Sequence, residues 1–167
     1  MTDRGTYARP QIVLHWTIVA LIIVQMLSAD GMSAYFEPAK EAGTAPGLPG
    51  PGLALAHAAS GATILVLIIL RFVLRLRYGA PAPPRDLPRI LQIVSRVTHY
   101  ALYAVLLLLP LSGATTLLIS PEAGDVHQAL KNVLYALAAA HVLGALTHLV
   151  ILRDGVFWRM IPIRRAE

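Results

Sequence analysis

Four long apolar runs dominate this sequence and restrict the folds that are open to it. They cover about residues 12–28, 53–76, 97–119 and 126–152, and each is close to the roughly 20 residues that a helix needs to cross the hydrocarbon layer of a membrane. Charged residues make up only 14% of the chain, too few to cover the surface of a soluble domain of this size. The sequence therefore predicts an all-α fold, a single integral-membrane four-helix bundle formed by residues 1–167.

Charged residues are divided unequally between the two ends of this predicted bundle. The end made of both termini and the connection between the second and third runs collects arginines: Arg4, Arg9, Arg71, Arg75, Arg77, Arg85, Arg89, Arg96, Arg153, Arg159, Arg164 and Arg165. The other end is acidic overall, with Lys40, Lys131, Asp30, Glu37, Glu41, Glu122 and Asp125. The positive-inside rule predicts that both termini are cytoplasmic. This pattern accounts for the net charge of +5 without a nucleic-acid partner.

The chain contains no cysteine and six histidines, all of them within or beside the apolar runs. The missing cysteines exclude thiolate haem ligation, c-type haem attachment, cysteine-ligated iron–sulfur clusters and disulfides. An ionisable side chain at membrane depth is costly and points to a function. His127 and His141 are 14 residues apart, which on an α-helix returns to within about 40° of the same face after a rise of ~21 Å. This spacing suits two haem irons, one in each leaflet.

The predicted topology gives each histidine a depth in the membrane. His57 and His127 match near the periplasmic surface, and His15 and His141 match toward the cytoplasm, so these pairs are the candidate iron ligands. A third set, His99 and His148, remains near the cytoplasmic interface. A single histidine of this kind is commonly an interhelical hydrogen-bonding group, and zinc is a further alternative. Zinc sites gather three or four ligands at one point, however, and pairs at two depths do not fit that pattern.

Several neighbours of the histidines fit a bound macrocycle or have an ordinary packing role. Gly61 lies one turn after His57, and Gly113 and Gly144 lie on or near histidine faces; such glycines leave room for a flat ring or let helices pack closely. Arg71 and Arg75 share the His57 face further down the helix. They are candidates to pair with haem propionates, or to extend to lipid headgroups. Lys131, one turn after His127, is a candidate for the same propionate role at the opposite surface.

Four motifs together resemble the bacterial cytochrome b561 family, and the resemblance covers essentially the whole chain. They are Arg9-Pro-Gln-Ile-Val-Leu-His15-Trp16, His57-x3-Gly61 with Leu70-Arg71-x3-Arg75-Leu76, Thr98-His99-Tyr100-x9-Pro110-x2-Gly113, and the set His127, His141 and His148. The resemblance implies a four-helix protein of the bacterial inner membrane with two haems b, which exchanges electrons with quinone. The family's haem positions match His15, His57, His127 and His141, and positions near its quinone end match His99 and His148.

Within the family the chain looks most like superoxide oxidases, which implies electron transfer from periplasmic superoxide to ubiquinone. Positive potential attracts a small anion, so Lys131 is the candidate residue that steers superoxide. Arg96, one turn before His99, is the candidate that stabilises a reduced quinone anion. Two other functions stay open: a haem b membrane-anchor subunit of a dehydrogenase or hydrogenase, and a non-redox transporter whose histidines relay protons.

Overall fold

The computed structural model describes residues 5–84 and 86–161, so Arg4, Arg85, Arg164 and Arg165 lie outside the described residues. Four long helices make up most of the described chain: α1 Arg9–Glu41, α2 Leu53–Tyr78, α3 Arg89–Leu118 and α4 Ala123–Thr147. A turn of π-helix, His148–Leu152, continues α4, and a short 3-10 helix, Phe157–Met160, follows. All four long helices are long and apolar enough to cross a membrane. The predicted all-α, four-helix membrane bundle is confirmed.

Consecutive helices pack against each other, α1 on α2, α2 on α3 and α3 on α4. The start of α1, the α2–α3 connection and the end of α4 meet at one end, which we call the arginine-rich end. There the Gln11 amide donates to the Gly79 carbonyl at 3.1 Å and the Trp16 indole donates to the Met160 carbonyl at 2.7 Å. At the opposite, acidic end, Lys40 and Asp125 form an ion pair at 3.1 Å.

Helix α1 departs furthest from the sequence prediction. Its apolar run is the shortest of the four, yet α1 is the longest helix, with 33 residues. It begins at Arg9, with Pro10 in the first turn, where a missing amide proton does no harm, and it continues past Ser28 to Glu41. The added turns contain polar and charged residues, so the length of the apolar run underestimates the length of the helix. They cover the acidic end, where the Tyr35 hydroxyl donates to the Pro46 carbonyl at 3.0 Å.

The buried core is small and lies near the middle of the bundle. Its members are Ile18, Ile64, Ile68, Val105, Leu106 and Leu134. Most other large apolar side chains face outward, as expected when lipid rather than water surrounds the helices. Helix α4 buries only Leu134 among its described residues, and of the other long helices it packs closely only on α3. Its histidine-bearing face is therefore turned toward α1 and α2 without close backbone packing.

Candidate functional site

Four histidines form two pairs, one in each half of the bundle. His57 of α2 faces His127 of α4 with ring centroids 6.4 Å apart, toward the acidic end. His15 of α1 faces His141 of α4 with ring centroids 6.2 Å apart, toward the arginine-rich end. A bond from a metal ion to an imidazole nitrogen is about 2 Å long, so two imidazoles on opposite sides of one iron have ring centroids about 6 Å apart. Both pairs therefore have the separation that a bis-histidine haem requires.

The pair near the acidic end, which we call the outer pair, has hydrogen bonds that orient both rings. His57 Nδ1 lies 3.3 Å from the Ser28 hydroxyl oxygen, on α1. His127 Nδ1 lies 3.0 Å from the Leu109 carbonyl oxygen and 3.1 Å from the Ser112 hydroxyl oxygen, on α3. A carbonyl accepts only, so His127 carries its proton on Nδ1, which leaves the Nε2 lone pair available for a metal. Metal-binding histidines almost always have such a second partner.

Ser28, Leu109 and Ser112 are the contacts of this site that the sequence did not reveal. Ser28 is one of the most buried residues of the chain, with 2% of its surface exposed. The only sequence signal is a hydroxyl residue at membrane depth. That signal is weak, because serines in membrane helices commonly bond to their own helix backbone. A backbone carbonyl such as that of Leu109 has no sequence signal at all.

Glycines support the outer pair in two different ways. A Cβ atom added at Gly113 would lie 3.1 Å from Cε1 of His127, so the missing side chain makes room for that imidazole. A Cβ atom at Gly61 would lie 3.0 Å from the Gln25 amide nitrogen, which donates to the His57 carbonyl at 2.8 Å. Gly61 thus lets Gln25 join α1 to α2 beside His57. A Cβ atom at Gly144 would meet nothing within 4 Å.

The pair near the arginine-rich end, which we call the inner pair, has a third histidine beside it. The His99 ring lies edge-on to the His141 ring, with centroids 5.0 Å apart, closer than two ligands of one iron would be. His99 Nδ1 is anchored on the Ser95 carbonyl at 2.6 Å. The structure therefore brings His99 to the inner pair, against His141, and does not pair it with His148.

Arg71 is turned into the bundle at the inner pair. Its guanidinium donates to the Gln11 carbonyl at 2.7 Å and interacts with the Tyr103 side chain. It lies close enough to interact electrostatically with His15 and His141. Arg71 thus does not extend to lipid headgroups, which favours the propionate role over the alternative.

Arg75 and Arg96 have different surroundings at the same end of the bundle. Arg75 donates to the Tyr7 hydroxyl at 3.3 Å, and its guanidinium lies 5.9 Å from the centre of the Tyr7 ring. It also interacts electrostatically with His99. Arg96 is exposed on the outer surface of α3, one turn before His99.

His148 begins the π-helical turn at the end of α4. Its Nδ1 lies 2.6 Å from a carboxylate oxygen of Asp154, whose other oxygen accepts the Val156 backbone amide at 3.1 Å. A cavity of about 140 Å³ adjoins His148, and Phe157 and Trp158 form part of its wall. Turns of π-helix are frequent at functional sites. Asp154 is a further residue of this region that the sequence did not single out.

Lys131 lies beside the outer pair and is half-buried. It interacts electrostatically with both His57 and His127, and within residues 5–84 and 86–161 it has no hydrogen bond or ion pair. Asp125, a nearby carboxylate, is instead paired with Lys40. The Ser120 hydroxyl donates to Glu122 and lowers the pKa of that carboxyl group. Among the described residues, one cation therefore remains without an acidic partner next to the outer pair.

Comparison with known proteins decides the family. The sequence profile described as prokaryotic cytochrome b561 matches residues 6–162. The chain belongs to the prokaryotic cytochrome b561 family. It is a multi-pass membrane haem protein with an electron-transfer role, of the oxidoreductase type. Family membership implies haem b, and the paired imidazoles described above fit that group.

Three curated relatives span nearly the same length as this chain. A probable superoxide oxidase CybB from Yersinia pestis is 29% identical, over 96% of this chain and 98% of the relative. A cytochrome b562 from Cereibacter sphaeroides is 29% identical, over 98% and 100% of the two chains. A cytochrome b561 homolog 1 from Escherichia coli K12 is 24% identical, over 95% and 98%. The similarity thus extends over nearly the full length of this chain and of each relative.

Proposed function

We propose that this protein carries two haems b and transfers electrons across the bacterial inner membrane, from superoxide to ubiquinone. The outer haem is held by His57 and His127, and the inner haem by His15 and His141. The observation that carries the proposal is the pair of ring separations, 6.4 Å and 6.2 Å, found at two levels of one bundle. Family membership favours this electron-transfer role over a transporter that relays protons.

The proposed orientation places the arginine-rich end in the cytoplasm and the acidic end in the periplasm. Arginine beside the ends of membrane helices marks the cytoplasmic side, and Arg9, Arg77, Arg89 and Arg153 all lie at that end of the folded bundle. The outer pair is then nearest the periplasm and the inner pair nearest the cytoplasm. Along α4 the two levels are separated by ~21 Å, from the rise of 14 helical residues.

Bound haem b supplies one-electron redox chemistry. The overall reaction balances when two superoxide anions each lose one electron to form two molecules of oxygen. One ubiquinone takes up those two electrons and two protons and becomes ubiquinol. If the quinone is bound at the arginine-rich end, the two protons come from the cytoplasmic side. The role of the protein's residues at that end is to hold the quinone headgroup and donate hydrogen bonds to it.

Lys131 supports the assignment of superoxide as the electron donor. A cation without an acidic partner attracts a small anion, and Lys131 lies beside both outer histidines. The Lys40–Asp125 ion pair matters here, because it gives one carboxylate of the acidic end a cation as its partner. Similarity to the probable superoxide oxidase supports the same donor.

The arginine-rich end is proposed to bind the ubiquinone headgroup. His148, held by Asp154 beside a cavity, is placed to donate a hydrogen bond from Nε2 to a quinone carbonyl. His99 contacts His141, a proposed iron ligand, and so lies beside the inner haem in this half of the bundle. Arg96, exposed on the outer surface of α3, is assigned a supporting role as a cation of this end that stabilises the reduced quinone anion.

The test of the haem assignment is the haem content of a ligand variant. We expect His127→Ala to bind one haem per chain, because the outer pair loses one of the two imidazoles that would hold its haem. The matched control is His148→Ala, a histidine of the same helix face that is not assigned to iron and should leave two haems. Haem per chain is measured from the reduced-minus-oxidised spectrum of the purified protein. Two haems in His127→Ala would refute the ligand assignment.

The donor is tested separately by rapid mixing of the oxidised protein with superoxide. Reduction of the haem bands within the mixing experiment is the expected result. If superoxide reduces neither haem while dithionite reduces both, the membrane-anchor function for a dehydrogenase or hydrogenase becomes the better proposal.

A further inference from the structure

The two histidine pairs differ in whether their imidazole nitrogens have hydrogen-bond partners among the described residues. In the outer pair both Nδ1 atoms have oxygen partners, at 3.3 Å for His57 and at 3.0 Å and 3.1 Å for His127. In the inner pair, no residue within 5–84 and 86–161 forms a hydrogen bond with a ring nitrogen of His15 or His141; their contacts there are ring contacts. The difference lies in the protein and does not depend on a bound group.

In the outer pair the histidines are the donors of these hydrogen bonds. The Ser28 hydroxyl donates its proton to the Val24 carbonyl at 2.7 Å, and the Ser112 hydroxyl donates to the Leu109 carbonyl at 2.8 Å. A hydroxyl has one proton, so each serine oxygen can only accept from the histidine. A histidine that donates from Nδ1 becomes a more basic ligand through Nε2. A more basic ligand favours the oxidised iron, which carries more positive charge, and lowers the reduction potential.

In the inner pair, a cation binds the backbone carbonyl that could otherwise accept from His15. On α3 the carbonyl four residues before His99, that of Ser95, accepts from the His99 ring at 2.6 Å. The equivalent carbonyl before His15 is that of Gln11, and it is bound by the Arg71 guanidinium at 2.7 Å. Arg71 also interacts electrostatically with both inner histidines. A fixed positive charge favours the reduced iron and raises the reduction potential.

Lys131 is a cation beside the outer pair and would raise the potential of the outer haem, which opposes this difference, but the two cations are held differently. Arg71 is fixed by the Gln11 carbonyl and by Tyr103. Lys131 has no hydrogen bond within the described residues and lies near the acidic end, where solvent and salt screen its charge. The cation at the inner pair therefore has the larger effect on its haem.

We propose that Ser28 and Ser112 are positioning residues that keep the outer haem at a lower reduction potential than the inner haem, while Arg71 raises the potential of the inner haem. The inference rests on the haem assignment proposed above. This difference in reduction potential sets the direction of electron transfer, because an electron that enters at the acidic end is then favoured to move to the arginine-rich end. Transfer toward the quinone would be downhill before any quinone binds.

The test is a redox titration of the purified full chain, followed by the absorbance of the haem bands. We expect two separate potentials in the unchanged protein. Ser28→Ala should raise only the lower one, by about tenfold in the one-electron equilibrium constant, which corresponds to 59 mV. Ser28→Thr keeps a hydroxyl and should restore the original value. Thr115→Ala is the matched control, because among the described residues that hydroxyl bonds to the Leu111 carbonyl of its own helix and to no histidine.

Haem content is measured first. A count other than two haems per chain in the unchanged protein would contradict the haem assignment itself, separately from the inference about the potentials. With two haems bound, an unchanged pair of potentials in Ser28→Ala, or a shift of the higher potential, overturns the inference. If Ser28→Ala loses the outer haem, Ser112→Ala replaces it, because the Leu109 carbonyl still holds His127 there. A lower potential that does not rise in Ser112→Ala then overturns the inference in the same way. Arg71→Met should lower only the higher potential, and no change there refutes the assigned effect of Arg71.

Discussion

Replacing Gly113 tests how closely the fold fits the His127 ring. A Cβ atom at this position would lie 3.1 Å from Cε1 and 3.2 Å from Nδ1 of the imidazole. Ordinary carbon contacts begin near 3.4 Å, so Gly113→Ala forces a shift of about 0.3 Å between the ring and α3. A ligand shell has to be held to within about 0.5 Å of its working geometry. The shift takes up most of that tolerance, and it disturbs the hydrogen bonds from Nδ1 to Leu109 and Ser112.

We therefore expect Gly113→Ala to weaken binding of the outer haem by about 10- to 100-fold, the range found when the partners of metal ligands are changed. Gly113→Val, with two more methyl groups in the same space, should lose the outer haem. The inner haem should be unaffected in both variants. The assay is haem per chain under limiting haem, together with the low-spin electron paramagnetic resonance signal of each haem.

The matched control for this series is Ala114→Val. Ala114 is the next residue of α3 and is exposed on the outer surface of the bundle, so the added methyl groups meet lipid rather than a histidine. It should retain both haems. Two haems with unaltered resonance signals in Gly113→Val would refute the argument that Gly113 exists to accommodate His127.

Two further predictions concern the two ends of the bundle. Lys131→Glu should slow reduction of the haems by superoxide at least several-fold, because the cation beside the outer pair becomes an anion, while reduction by dithionite stays the same. In the unchanged protein the rate of reduction by superoxide should also fall as the salt concentration rises. A rate that depends neither on the Lys131→Glu change nor on salt would contradict electrostatic steering. His148→Ala should slow ubiquinone reduction while the haem spectrum and the haem content remain those of the unchanged protein, and a missing haem band would instead identify His148 as an iron ligand.

The helices and the histidine pairs could be predicted because both depend on distances along the chain. The length of an apolar run sets where a helix crosses the membrane, and the 14 residues from His127 to His141 set both a shared face and a separation. Depth then selects the partners of these two histidines, His57 and His15. The ring centroid separations in the structure match the spacing expected for iron.

The contacts around the pairs could not be predicted, because they depend on how the helices rotate against each other. The sequence places His99 near the cytoplasmic surface as a companion of His148. In the structure the rotation of α3 carries the His99 ring onto His141, and His148 pairs with Asp154 instead. The length of α1 was also underestimated, because its last turns are polar and are stabilised by contacts such as Lys40 with Asp125.

Helix α4 is the element on which the proposed function depends most. It contributes one histidine to each pair, yet it buries only Leu134 among its described residues and packs closely on α3 alone among the long helices. His57 and His15, its partners, are on α2 and α1, against which it does not pack closely. Metal binding stabilises a fold when the ligands come from separate elements, so an iron in each pair would join α4 to α1 and α2 at two levels. The two sites that join α4 to the rest of the bundle would then also be the two positions through which electrons pass between its ends.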